Sequence, residues 1–342
     1  MNRPAAGPTL EVVEEAVVKE VVHLDHVVPL RRQALCLPAV DGDPPLAIER
    51  TCLPDGPTRP PVLLVHGFAQ NRYTWRLSGR SLVGRLAEEG YDVLNLELRG
   101  HGNSRRCGAG NARHFDEYVR DAVRVIDACD AAPFAMGHSL GGSVIVAAST
   151  ERPLRGLVHI AGTFVFATHN HAIRLLARIS LQLERLLTLP TLRVSTGWAG
   201  GLLAEMYSLT DLAGYGLPLA GWFPGSIERH LLEERVTLGF DWTSAEVWLQ
   251  MSRWALGEPF AHAAAFGAVD VPLLVMAGDA DPLIPPADAR KCYEASGSSD
   301  RTFLVMEPWE HQVHWGHVDL ILGRKAPEET WPRIVQWLNA RA

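Results

Sequence analysis

Seven consecutive residues, Met136-Gly137-His138-Ser139-Leu140-Gly141-Gly142, constrain this chain more than any other stretch. A short apolar run at 133–136 precedes them, and a small, helix-compatible run at 143–149 follows. A strand that turns at once into a helix puts Ser139 on a tight bend. Gly137 and Gly141 flank the bend because a side chain at either position would collide with the other arm. The serine is then expected in a strained backbone conformation, with its hydroxyl clear of the sheet. This is the G-x-S-x-G arrangement of a nucleophile elbow. By itself the pentapeptide also fits a glycine-rich turn with an ordinary serine, so the rest of the chain must decide.

The pattern around this stretch alternates. Residues 61–65 form a continuous apolar run, as expected of a strand buried on both faces of a parallel sheet, and end in His66-Gly67-Phe68. Residues 78–90 read as a helix stopped by Gly90. Residues 91–97 read as a strand running into Arg99-Gly100-His101-Gly102-Asn103-Ser104. A helix at 114–130, the strand and elbow, and a strand at 154–160 follow. This order predicts an α/β fold with parallel strands and crossover helices.

The alternation breaks over 164–260. That region has helical patterns and many aromatics, among them Trp198, Tyr207, Tyr215, Trp222, Trp242, Trp248 and Trp254. It reads as a helical cap inserted over the strand ends. Strand (272–277), helix (287–295), strand (301–306) and helix (328–340) complete the pattern. The core is therefore expected at 31–163 and 261–342. Before it, 32–37 and 45–52 read as a hairpin around Asp41-Gly42-Asp43-Pro44. The N-terminal extension, 1–30, is expected to be helical over 10–22, where apolar pairs alternate with glutamates.

Composition narrows the partners. A net charge of −7 over 342 residues gives no reason to expect nucleic acid. Five scattered cysteines suit a reducing compartment. Residues 1–10 lack a signal-peptide apolar core, and no run approaches the length of a membrane span, so a cytoplasmic location is the expectation.

A serine hydroxyl needs a base within hydrogen-bond reach, and the base needs an orienting acid. In an open parallel sheet such groups gather beyond the carboxyl ends of the strands. After 272–277 come Asp279 and Asp281. Asp281 stands further out, with Pro282 stiffening its exit, while Asp279 hugs the strand end and organises the turn. After 301–306 come His311, His314 and His317. Their spacing of three evokes metal ligands, but no neighbouring set completes a metal site. His317 ranks first and His314 second, because His317 stands at the doorstep of the apolar segment 318–322. The chain order Ser139, Asp281, His317 suits this topology. A developing oxyanion would be met by the backbone N–H groups of Leu140 and Phe68. His66 and His138 are read as shaping their loops.

With these residues in view, the sequence resembles the α/β-hydrolase superfamily over residues 45–340. His66-Gly67, the arginine-glycine turn at Arg99–Ser104, the elbow, Gly278 to Asp281 and Gly316-His317 carry the resemblance. Within it, Trp75, Gly90-Tyr91-Asp92-Val93 and His317-x-Asp319-Leu320 with Gly323 look like the acid-lipase and gastric-lipase branch, and are similar to polyhydroxyalkanoate synthases. The resemblance implies a sheet of about eight strands, a helical cap, no cofactor and hydrolysis of a carboxylic ester. It implies Ser139 as nucleophile, His317 as base, Asp281 as acid and Phe68 and Leu140 as oxyanion donors. Ser139 stands where the synthases carry cysteine and where epoxide hydrolases carry aspartate. The expected substrate is a small, lipophilic ester. A thioesterase, an acyltransferase or a non-catalytic binder with this fold are the alternatives.

Overall fold

The computed structural model describes residues 9–186, 193–194, 221–241 and 243–342. Its first two strands are β1 (Glu11–His23) and β2 (His26–Leu37), and β3 (Leu46–Cys52) follows. The parallel strands are β4 (Pro61–Val65), β5 (Asp92–Glu97), β6 (Phe134–His138), β7 (Gly156–Ile160), β8 (Leu273–Gly278) and β9 (Arg301–Met306). The sheet runs β9-β8-β7-β6-β4-β5-β3-β2-β1, and a short hairpin (Arg76–Leu77, Arg80–Ser81) follows at the β1 edge. β1, β2, β3 and β5 pair antiparallel, as do the hairpin strands with each other and with β1, and the remaining neighbours pair parallel.

The helix expected over 10–22 is wrong: β1 pairs with β2 from Glu11↔Cys36 to His23↔His26. Two register shifts, between Val12 and Glu14 and between Val21 and His23, break the two-residue alternation that would have marked a strand. Residues 11–17 are also solvent-exposed on both faces, so no apolar stripe was selected there. The valines, stiff at χ1, followed their strand preference. This strand and the two short strands of the edge hairpin bring the sheet of about eight to eleven. The hairpin of β2 and β3 is as expected.

Apolar faces explain the parallel strands. In β4, Leu63 and Val65 enter one core cluster while Val62 and Leu64 enter the other. Helices α2 (Phe115–Asp127) and α3 (Leu140–Ser149) cover the first face, and α1 (Leu82–Glu88) covers the second. Helix α1 starts later than the pattern suggested, because Ser81 caps it: Oγ accepts from the Gly84 N–H at 2.9 Å.

In the region expected to be a cap, the described part contains α4 (His171–Leu186), α5 (Arg229–Leu238) and α6 (Ala245–Ala255). Trp248 Nε1 donates to Ser180 Oγ at 2.9 Å and Arg253 pairs with Glu184 at 2.8 Å, tying α6 to α4. Trp198, Tyr207, Tyr215 and Trp242 lie outside the described residues. After β8 come α7 (Pro286–Ala295) and, last, α8 (Thr330–Asn339).

Candidate active site

Ser139 sits between β6 and α3 with φ 54° and ψ −124°, a conformation that L-residues rarely adopt. A Cβ on Gly137 would lie 2.3 Å from the Gly141 carbonyl oxygen, so strand and helix do meet there. Gly141 answers to a different neighbour: its Cβ would lie 2.2 Å from the Val65 carbonyl oxygen of β4. One glycine closes the bend and the other lets the helix settle against the adjacent strand. Ser139 itself is half-buried, its N–H donating to Ile160 O at 3.2 Å and its C=O accepting from Thr163 N at 2.9 Å.

Asp281 and His317 come from loops after β8 and β9 and form a buried pair, His317 Nδ1 to Asp281 Oδ2 at 2.7 Å. The other carboxylate oxygen, Oδ1, accepts the Leu283 and Ile284 N–H groups at 2.8 and 3.0 Å. The acid is thus fixed at both oxygens. Leu320, Ile321 and Leu322, just beyond His317, are fully buried and seat its loop. Among the described residues, His317 Nε2 has no hydrogen-bond partner. The hydroxyl-to-imidazole contact is not formed in this structure; such bonds are commonly long before substrate binds.

The other candidates part ways. Asp279 accepts the Trp315 N–H at 2.9 Å and faces His314 Nδ1 at 2.5 Å, so the second-ranked histidine pairs with the turn-forming aspartate. His311 is turned elsewhere, its Nδ1 accepting the Glu307 N–H at 3.2 Å. His138, the residue before Ser139, adjoins the first pair: its ring centroid lies 4.6 Å from that of His317, and its Nε2–H donates to the His317 carbonyl at 3.1 Å. Burial, and then the His317 charge, hold His138 well below the usual histidine range. Its neutral ring is therefore a one-proton clamp on the His317 backbone.

The loop after β4 closes on the elbow. A Cβ on Gly67 would lie 2.8 Å from Ser139 Cβ. His66 is fixed in one tautomer: Nδ1–H donates to Gly67 O at 2.9 Å, and Nε2 accepts from Leu98 N at 3.1 Å. Phe68 follows, half-buried, its ring 6.0 Å from Trp248 of α6. Among the described residues, the Phe68 and Leu140 N–H groups donate to no protein acceptor. The arginine-glycine turn is structural: Arg99 holds buried Asp121 through its Nε and its backbone N–H, both at 2.9 Å.

A family model described as "Alpha/beta hydrolase family" matches residues 62–329. The chain belongs to that family. Epoxide hydrolase B of Mycobacterium tuberculosis is 36% identical over 86 residues, 25% of this chain and 23% of that protein. A monoacylglycerol lipase of Mycolicibacterium smegmatis is 24% identical over 264 residues, 76% of this chain and 84% of that lipase. The crystal structure of Paleococcus ferrophilus monoacylglycerol lipase superposes with a TM-score of 0.61 at 21% identity, covering 87% of this chain and 99% of that one. The chain spans 28% and 23% of the length of the first curated relatives it matches.

Two residues of this alpha/beta hydrolase were not assigned a task from sequence. Asp319 is buried, and its Oδ2 accepts the N–H groups of Gly316 (2.6 Å) and Phe223 (2.8 Å) while Oδ1 accepts from Ser226 Oγ (2.7 Å). It joins the loop carrying His317 to the segment at 223–226. Burial pushes its carboxyl up to about 7, opposed by those donors. Its place two residues after His317 was the available signal. The other is Arg235, whose sequence surroundings are those of an ordinary helix surface. No helix among the described residues is long and apolar enough to cross a membrane.

Proposed function

We propose that this chain is a carboxylic ester hydrolase acting on a small, lipophilic ester through an acyl-enzyme on Ser139. Ser139 Oγ attacks the ester carbonyl carbon while its proton passes to His317 Nε2. The carbonyl π pair becomes an oxyanion facing the Phe68 and Leu140 N–H groups. Collapse of that intermediate expels the alcohol oxygen, which takes the proton from His317. Water repeats the sequence, losing its proton to the same nitrogen and releasing acid and Ser139. Asp281 holds the ring in the Nδ1–H tautomer and offsets its transient positive charge. Residues 164–260 act as a lid over the acyl chain.

The observation that carries this reading is the buried His317–Asp281 pair at 2.7 Å, with Nε2 left over, clamped to the residue before the strained serine. Similarity to monoacylglycerol lipases supports the ester class. The similarity to an epoxide hydrolase does not extend to the elbow chemistry proposed here, which rests on a hydroxyl nucleophile.

The test is covalent labelling by a fluorophosphonate probe, expected in the wild type and lost in Ser139→Ala. Release from p-nitrophenyl esters of increasing chain length then reads the acyl preference. Thioester substrates and added alcohols distinguish thioesterase and acyltransferase by product. A folded wild type that never labels is a binder and ends the proposal.

A further inference from the structure

Arg235, in the last turn of α5, is 1% exposed. Among the described residues, its Nε and Nη1 have no acceptor. The nearby carboxylates are committed elsewhere. Asp241 accepts the Gly102 N–H at 2.6 Å and pairs with Arg105 at 2.9 Å. Glu234 accepts the Ser78 N–H at 2.8 Å, Glu97 pairs with Arg72 at 3.0 Å and Glu233 with Arg229 at 2.7 Å. What faces the guanidinium is the ring of Phe240, 5.0 Å from its central carbon. Burial lowers its pKa to about 10, which leaves it charged at neutral pH. A cation buried without a counter-ion opposes folding, so a sequence that keeps one needs a reason outside stability.

Its surroundings supply that reason. The chain after Arg235 is stitched to the loop that begins at Phe68. Asn71 Nδ2 donates to Leu238 O at 2.8 Å, Asp241 N–H donates to Ala69 O at 2.9 Å, and Gln70 bridges Phe240. Gln70 also faces His138 Nδ1 at 3.3 Å. The guanidinium therefore stands behind the wall of the candidate site formed by His66, Gln70 and His138. After burial, its charge is among the causes that hold both histidines neutral.

We propose that Arg235 is a positioning residue whose uncompensated charge favours the anion formed between the Phe68 and Leu140 amides. This rests on the reading of Ser139 given above. In a poorly screened interior such a charge acts over several ångströms without touching substrate, and among the described residues no carboxylate pairs with it. His66 and His138 are the titratable groups on the site's side that feel this charge.

The experiment compares Arg235→Met and Arg235→Gln, which remove the charge, with Arg235→Lys, which keeps it. Each is measured for ester kcat and KM across pH, for fluorophosphonate labelling and for urea stability. Neutral variants are expected to lose on the order of tenfold in kcat with KM little changed. Arg235→Met should be at least as stable as the wild type, and Arg235→Lys should stay within a few-fold of wild-type kcat. An unchanged kcat, a change in KM alone, or unfolding of both neutral variants would overturn the proposal while wild-type labelling left the Ser139 reading intact. A folded wild type that fails to label overturns both.

Discussion

His138 lends its Nε2–H to the carbonyl of His317 at 3.1 Å. The residue before the elbow serine thereby fixes the backbone of the proposed base, across 179 positions of sequence. His138→Phe keeps a ring and removes the donor, leaving a buried carbonyl unpaired. A kcat lower by about tenfold with little change in KM is expected, the worth of one lost buried hydrogen bond. Steady-state ester kinetics on folded protein check this, and an unchanged kcat counts against the clamp.

Two His–Asp pairs stand side by side, His317–Asp281 and His314–Asp279. The first is buried and the second is open to solvent at the histidine. His317→Gln should cost on the order of 10³–10⁴ in kcat. His314→Gln should stay within a few-fold. The reverse pattern would reassign the base.

The elbow glycines answer to space. A methyl group at Gly141 would meet the Val65 carbonyl at 2.2 Å, and neither β4 nor α3 can retreat without opening the core. Gly141→Ala should destabilise the fold by about 3 kcal/mol or more, or prevent soluble expression. Urea unfolding reads the difference, and a loss below about 1 kcal/mol would show that the contact relaxes easily.

Asp319 should leave a pH signature. Burial, opposed by donors from Phe223, Ser226 and Gly316, raises its carboxyl from 3.8 to about 7. Between those values the folded chain keeps a proton that the unfolded chain gives up. The stabilising contribution is therefore full below the ordinary value and is lost as pH rises towards about 7. Asp319→Asn removes this term. The stability of wild type minus mutant should fall from about pH 4 to about pH 7 in urea titrations, and a flat difference refutes the assignment.

Much of this was legible in the chain. The run at β4 had to be buried on both faces, and Gly137-His138-Ser139-Leu140-Gly141 had to be a bend between strand and helix. Asp281 and His317 could be ranked above Asp279 and His314 by position relative to strand ends. Residues 10–22 went astray because bulges and exposure on both faces erased the period that distinguishes strand from helix. Pairing with β2, a non-local event, then decided the outcome.

By itself, the sequence determined which residue types could react and in what order along the chain, since local spacing dictates bends, buried strands and loop ends. Tertiary structure alone decided which histidine packs against His138, the residue before Ser139. It also decided which aspartate carboxyl ties the loop of His317 to Phe223 and Ser226, and that Arg235 is buried with no counter-ion among the described residues. Those are distances between segments far apart in the chain, and no local pattern encodes how the packed sheet brings them together.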